Sequence, residues 1–367
     1  MLPHQYQPDN YSRLLETKIQ RVLIEFRSLG APDPSVFESP RSGFRMRAEF
    51  RVWHSDDDLD YVMFKKGEPA APVVIDTFPI AHSSIQHLMP ILRDRLKNTP
   101  ELRRRLFQCE FLTTSYGHVI ITLIYHRPLD AAWEVEANLL SRELGFSIIG
   151  RSRGQKLVIG DDFVTEELQV SGQRYLFKQP EQAFTQPNAA INSTMLAWVL
   201  QTQNHHRVDL LELYCGVGNF TIPLSQQFHS VLATEVSKVA TRAAIDNLVA
   251  NEVSNVEFAR LSAEEMGTAL RGERQFRRLQ ALSKPLEHYS FTTIFVDPPR
   301  AGLDQKTLSL CQGFNEILYI SCNPTTLIDN LKQLTSTHEI MQFALFDQFP
   351  YTDHLECGVQ LIKKDSD

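Results

Sequence analysis

The stretch Asp209-Leu210-Leu211-Glu212-Leu213-Tyr214-Cys215-Gly216-Val217-Gly218-Asn219-Phe220 decides the fold class. A short apolar run that breaks at a glycine turn and re-enters a helical pattern reads as strand, turn, helix. The same unit recurs downstream. Strands are expected over residues 231–234, 256–258, 293–296 and 317–321, with helices over 189–202, 221–228 and 239–251. A long polar, basic helical region is expected around Arg271, Arg274, Arg277 and Arg278. Strand-like runs at 341–346 and 358–362 finish the chain. Repeated βα units with wholly apolar strands specify a Rossmann-like, doubly wound and mostly parallel sheet. Ligands of such sheets lie beyond the carboxyl ends of the strands, and Gly216, Gly218, Glu235, Asp297 and Cys322 all fall there.

The glycine turn is followed by Glu235 at the tip of the next strand, where a carboxylate hydrogen-bonds ribose hydroxyls. The third glycine of the dinucleotide fingerprint is missing, since Gly218 is followed by Asn219, Phe220 and Thr221. That favours S-adenosylmethionine, which has no pyrophosphate to cradle, over a nicotinamide dinucleotide. Asp297-Pro298-Pro299-Arg300 gives a stiff loop at the tip of the fourth strand. In Ile317-Leu318-Tyr319-Ile320-Ser321-Cys322-Asn323-Pro324 the apolar run delivers Cys322 to a strand tip, and Pro324 suits the first turn of a helix. The positive end of that helix and the nearby Arg300 are expected to favour a thiolate. A thiolate suits one difficulty in particular. Carbon 5 of uracil is too weakly nucleophilic to take a methyl group until a nucleophile adds at carbon 6. A base must afterwards remove the proton at carbon 5. Glu356 is the candidate, expected just before the last strand, with Asp353 and His354 as rivals.

The first half follows another pattern. A helix is expected over 11–29 and a strand over 44–53, where Phe44, Met46, Ala48, Phe50 and Val52 alternate with Arg45, Arg47, Glu49, Arg51 and Trp53. The second set suits an RNA-reading sheet face, because guanidiniums hold phosphates and an indole stacks on a base. A turn over 55–60 leads to strands over 61–65 and 73–78, then a helix over 83–107 broken near Pro100. Its Arg103-Arg104-Arg105-Leu106-Phe107 end would combine a phosphate clamp with a stacking wedge. A strand over 117–126, a helix over 130–144 and three strand-like runs within 146–178 complete an α+β domain. The expected division is an RNA-binding domain over 1–180 and a catalytic domain over 181–367.

Bulk properties narrow the partners. The 367 residues are 43% hydrophobic and carry a net charge of −7, so nucleic acid would have to be attracted by a local basic face. Five scattered cysteines without C-x-x-C spacing argue for reduced thiols and a cytoplasmic protein. They also argue against a structural zinc, and against a four-cysteine iron–sulfur site in the first half, which holds only Cys109. No membrane span and no secretory leader are expected.

The chain resembles the RNA uracil-5-methyltransferases over essentially its whole length. The resemblance rests on Phe184-Thr185-Gln186-Pro187-Asn188, Leu211-Glu212-Leu213-Tyr214-Cys215-Gly216, Val296-Asp297-Pro298-Pro299-Arg300, Ser321-Cys322-Asn323-Pro324 and Phe346-Asp347-Gln348-Phe349-Pro350-Tyr351. It implies that Gln186, Tyr214, Asn219, Glu235 and Asp297 contact S-adenosylmethionine, that Cys322 is the nucleophile and that Glu356 accepts the proton. The missing iron–sulfur site favours tRNA over ribosomal RNA. The implied target is uridine 54 in the T arm, with the tRNA-like part of tmRNA as a second substrate, and the implied state is a monomer. Methylation of ribosomal RNA, of cytosine, or a non-catalytic RNA-folding role are the rival readings.

Overall fold

The computed structural model describes residues 2–65, 67–202 and 207–365; Met1 of the polar N-terminal stretch lies outside it. The chain opens with α1 (Tyr11–Ser28) and β1 (Ser35–Phe37). Then follow β2 (Arg47–Ser55), β3 (Asp58–Lys65), β4 (Glu68–Val74), α2 (Ser83–Asn98), α3 (Pro100–Arg103), β5 (Leu106–Thr113), β6 (Val119–Tyr125), α4 (Ala131–Leu144), β7 (Ser147–Ser152) and β8 (Gln155–Ile159). A hairpin of β9 (Phe163–Val170) and β10 (Gln173–Pro180) leads to α5 (Ala189–Gln201). The second half contains β11 (Asp209–Leu213), α6 (Thr221–Leu224), β12 (Ser230–Thr234), α7 (Lys238–Ala250), β13 (Val256–Ala259) and α8 (Ala263–Leu270). It ends with β14 (Phe291–Val296), α9 (Gln305–Cys311), β15 (Glu316–Ser321), α10 (Pro324–Leu334), β16 (His338–Phe346) and β17 (Glu356–Lys363).

Among the described residues the larger sheet has the order β1-β16-β17-β15-β14-β11-β12-β13. Its pairings are parallel except for β17, which runs against β15 and β16. Every residue of β11 and of β15 is buried, as expected of parallel strands covered on both faces. The order reverses at β11, which has β12 on one side and β14 on the other, so a crevice opens at their carboxyl ends. The strand β17 comes close to α5 at Gly358, where a Cβ would lie 2.7 Å from Trp198 Cζ3. Only a glycine lets the helix settle there.

The second sheet, β4-β3-β2-β5-β6-β7-β8, is antiparallel except for β6 and β7, which α4 connects. From Ala48 to Trp53 the expected alternation holds, with Ala48, Phe50 and Val52 buried and Glu49, Arg51 and Trp53 exposed.

Several boundaries differ from expectation. The helix expected to reach Phe107 ends at Asn98, with one more turn after Pro100. Leu106 and Cys109 are buried in β5, which pairs with β2 and β6, and that pairing outweighs helical spacing. The strand expected over 73–78 is β4, ending at Val74, and four strands rather than three occupy 147–180. The basic region is not a long helix. Gly272 takes φ +70 just past α8, and the segment to Tyr289 holds only short 3-10 turns at Arg277–Ala281 and Leu286–His288. Without an apolar stripe, nothing there repays the ordering of a helix.

The expected division at residue 180 is crossed by the chain's first elements. Strand β1 pairs in parallel with β16, extending the catalytic sheet. Phe26 of α1 stacks on Phe343 at 4.3 Å, and Phe37 stacks on Phe346 at 5.0 Å.

Candidate active site

A cavity of about 840 Å³ opens at the carboxyl ends of β11, β12, β14 and β15. Its walls include Gln186, Tyr214, Gly216, Glu235, Asp297, Arg300, Cys322 and Glu356. The turn after β11 explains one wall. Tyr214 takes φ 61, Gly216 φ 57 and Gly218 φ 85, so the chain turns sharply and presents backbone to the cavity. The Glu235 carboxylate accepts from the Gly216 N–H at 3.1 Å and the Ser237 N–H at 2.7 Å. It therefore stands fixed at the tip of β12.

The opposite wall is built by strand register. Ser321 of β15 pairs with Cys357 of β17, so Cys322, one residue past the end of β15, comes near Glu356, which opens β17 instead of preceding it. Asn323 caps α10 by accepting from the Thr325 N–H, and its amide donates to the Arg300 carbonyl at 2.9 Å. The loop after β14 and the loop after β15 are thus tied together beside the thiol. Pro324 occupies the first turn of α10, as the sequence indicated.

The electrostatics correct one expectation. Burial pushes the Cys322 thiol up to about 11, and the Glu356 and Asp297 carboxylates add to the effect. Arg300 acts in the expected direction but is outweighed. The resting group is a thiol. Burial likewise pushes Asp297 up to about 7, and burial with Asp297 beside it drives Glu356 well above the usual carboxylate range. Glu212, behind the same wall, is pushed up to about 8 by burial, and its Oε2 has no hydrogen-bond partner among the described residues.

The other sequence candidates are distributed unevenly. Gln186 lines the cavity and accepts from Gln348 Nε2 at 2.7 Å. Asn219 is not on the wall; its amide exchanges two hydrogen bonds with Asn192, at 2.8 and 2.9 Å, behind the glycine turn. Asp353 and His354 are also off the wall. Arg21 holds Asp353, and Arg300 Nη2 lies 3.3 Å from His354 Nε2. The arginine face divides. Arg45 and Arg47 reach the cavity wall, but Arg47 donates to the Glu181 and Ala183 carbonyls. Arg51 lies over the Phe107 ring at 3.4 Å, and that ring packs against His126 at 4.0 Å.

Some residues were given no individual role in this site by the sequence reading. Phe184 stands 72% exposed on the cavity wall, two positions before Gln186. Lys18 of α1 is buried, and its signal was a lysine on the stripe Tyr11, Leu15, Lys18, Val22. Glu49 lines both this cavity and a more open groove over the second sheet.

The strand order and the cavity define a Rossmann-like S-adenosylmethionine-dependent methyltransferase domain preceded by an α+β domain. A crystal structure of Pyrococcus abyssi tRNA (uracil-54, C5)-methyltransferase with S-adenosyl-L-homocysteine matches with TM-score 0.71 at 23% identity, covering 96% of this chain and 84% of that one. The tRNA (uracil-5-)-methyltransferase family profile matches residues 10–364. A tRNA/tmRNA (uracil-C(5))-methyltransferase of Acinetobacter baylyi is 52% identical, covering 96% of this chain and 98% of its own length. One from Pseudomonas putida is 51% identical over 98% of this chain and 99% of its own. The chain belongs to the tRNA (uracil-5-)-methyltransferase family.

Proposed function

We propose that the chain methylates carbon 5 of uridine 54 in the tRNA T loop, and the equivalent uridine of tmRNA, through a covalent cysteine adduct. The observation that carries this reading is that the pairing of β15 with β17 brings Cys322 and Glu356 together in the cavity that Glu235 and Asp297 also line. The cavity fits the cofactor: its volume exceeds what a nucleoside needs, and Glu235 is already oriented by two backbone donors. When bound, S-adenosylmethionine supplies the methyl group and a positive charge.

A cation near Asp297, Glu356 and Cys322 favours the charged form of all three, so the thiol loses its proton more readily. The Cys322 thiol gives up its proton to solvent, its sulfur bonds to carbon 6 of the base, and the electrons of the 5,6 double bond move onto carbon 5 and the adjacent carbon 4 carbonyl. Carbon 5 then takes the methyl group. Glu356 removes the remaining proton from carbon 5, the double bond re-forms, and the sulfur–carbon 6 bond breaks to return the thiolate. Arg300 opposes the charge of Glu356 and of the departing sulfur.

The target uridine lies in a folded loop and must be extruded to reach the cavity. We assign RNA reading to the sheet of β2–β8, where Trp53 is 45% exposed and Phe107 sits between Arg51 and His126. Residues 38–180 then form the RNA-binding part and α1 and β1 belong with the catalytic sheet, in a monomer working in the cytoplasm. No helix among the described residues is long and apolar enough to cross a membrane.

The test is nucleoside mass spectrometry of tRNA, tmRNA and ribosomal RNA from cells with and without the gene, complemented by parent or Cys322→Ala. Loss of 5-methyluridine from tRNA that only the parent restores is expected. Loss confined to ribosomal RNA would overturn the substrate reading.

A further inference from the structure

The loop 347–355 joins β16 to β17 and ends at Glu356. It also carries Gln348, which holds Gln186, and Phe349, which lines the cavity. Its geometry is maintained from the far end of the chain. The Lys18 ammonium, 5% exposed, donates to Asp347 Oδ1 at 2.6 Å, to the Phe349 carbonyl at 2.9 Å and to the His354 carbonyl at 3.2 Å. One cation therefore grips the loop at its first residue, at its third and just before its end. Arg21, one turn on, adds a bond to the Asp353 carbonyl at 2.7 Å. Tyr6 and Tyr11 pack edge-on against Tyr351, which takes φ 62 and donates to the Arg41 carbonyl at 2.6 Å.

A lysine buried this deeply is a costly choice for fold stability alone. Desolvation penalises its charge, and apolar side chains of similar volume commonly replace buried ion pairs without loss. Burial does push Lys18 below the ordinary lysine range, with Asp347 acting the other way. What an apolar residue cannot do is bond a carboxylate and two carbonyls at once.

We infer that Lys18 is a positioning residue for the reaction: its three bonds fix loop 347–355 and thereby set Glu356 where it meets carbon 5 of the base. The inference rests on Glu356 being the proton acceptor. Lys18 touches neither substrate nor cofactor; it acts through the loop.

The test compares the parent, Lys18→Met, the double variant Lys18→Met with Asp347→Asn, and Glu356→Gln in the full chain. The double variant leaves no charge stranded in the core, so it keeps the comparison open where the single variant fails to fold. Three quantities are read: methyl transfer in a single turnover, release of the covalent protein–RNA adduct, and affinity for S-adenosylmethionine. Hydrogen exchange of amides 347–355 is followed in parallel. Release is expected to slow by about tenfold or more while transfer and cofactor affinity stay within about threefold. Adduct should accumulate as it does in Glu356→Gln, and exchange should rise in loop 347–355 specifically. Release within about twofold of the parent in the double variant overturns the inference, as does an equal loss in all three quantities. If Glu356→Gln releases its adduct freely, the base assignment fails. Faster exchange in loop 347–355 with slowed turnover would still identify Lys18 as the clamp, and unchanged exchange would remove it.

Discussion

At the scale of single residues, the site is a cluster of acids whose charged forms burial disfavours. The thiol of Cys322 titrates near pH 11 because burial and two carboxylates favour S–H over S⁻. Alkylation of Cys322 by iodoacetamide in the free protein should therefore be slow at pH 8 and climb towards pH 11. Replacing Glu356 by Gln removes one of the charges responsible, so the profile should move to lower pH. A profile with a plateau near pH 8 in the parent would contradict the electrostatics derived from this geometry. Cys322→Ala should cost on the order of a thousandfold or more in methylation while cofactor affinity holds, since those contacts lie on other strands. Rates within about tenfold of the parent would remove the nucleophile from the mechanism.

Glu212 gives a stability test with a definite sign. Its folded value, up to about 8, lies above the ordinary 4.5, so folding favours the neutral acid. Its contribution is full below about pH 4.5, declines as pH rises to about 8, and is constant above that. Glu212→Gln removes this slope. Its melting temperature should gain on the parent's between pH 5 and pH 8, measured by calorimetry without ligand. A constant difference across that range would mean the carboxyl is not held neutral.

At the scale of elements, the pairing of β15 with β17 brings together Cys322 and Glu356, the proposed nucleophile and the proposed base. The pair relies on Gly358, where a Cβ would meet Trp198 at 2.7 Å and Ile320 at 3.1 Å. Gly358→Ala should lower stability by about 1–3 kcal/mol, since the obstacles are a buried indole and a packed strand neighbour. The urea midpoint should fall with the slope unchanged. A midpoint equal to the parent's would show that α5 can move aside. The alternation of β2 was legible in the sequence, because a half-buried antiparallel strand exposes every second residue. The strand β5 was not, because Arg103-Arg104-Arg105 reads equally well as a helix end, and only pairing with β2 and β6 decides. The segment 271–290 misled for a similar reason: arginines tolerate a helix but do not bury a face that would hold one.

At the scale of the whole molecule, the two sheets share one task if the RNA is read on one and modified on the other. A base stacked on an aromatic side chain contributes about 1–3 kcal/mol. Phe107→Ala should therefore slow methylation of a folded T-arm by about tenfold or more, and of an unstructured uridine oligonucleotide by less than about threefold. Equal losses on both substrates would place RNA reading elsewhere. Arg47→Ala is a poor probe of RNA contact, because that guanidinium already holds the backbone at Glu181 and Ala183.

The sequence by itself determined the parallel sheet and the tips of its strands, because apolar runs and their breaks are local patterns that survive without any partner. Gln186, Tyr214, Glu235, Asp297, Cys322 and Glu356 were named from those patterns and the family resemblance, and the fold gathers all six around one cavity. The tertiary structure decided what depends on distance along the chain. Asn219 is tied to Asn192, 27 residues upstream, by two amide hydrogen bonds. The strand β1 joined the catalytic sheet because β16 presented a free edge to it. Lys18 found its carboxylate at Asp347, across nearly the whole chain, and burial, outweighing Arg300, pushed the Cys322 thiol up. Burial and long-range pairing are properties of the assembled core, so no local spacing could have announced them.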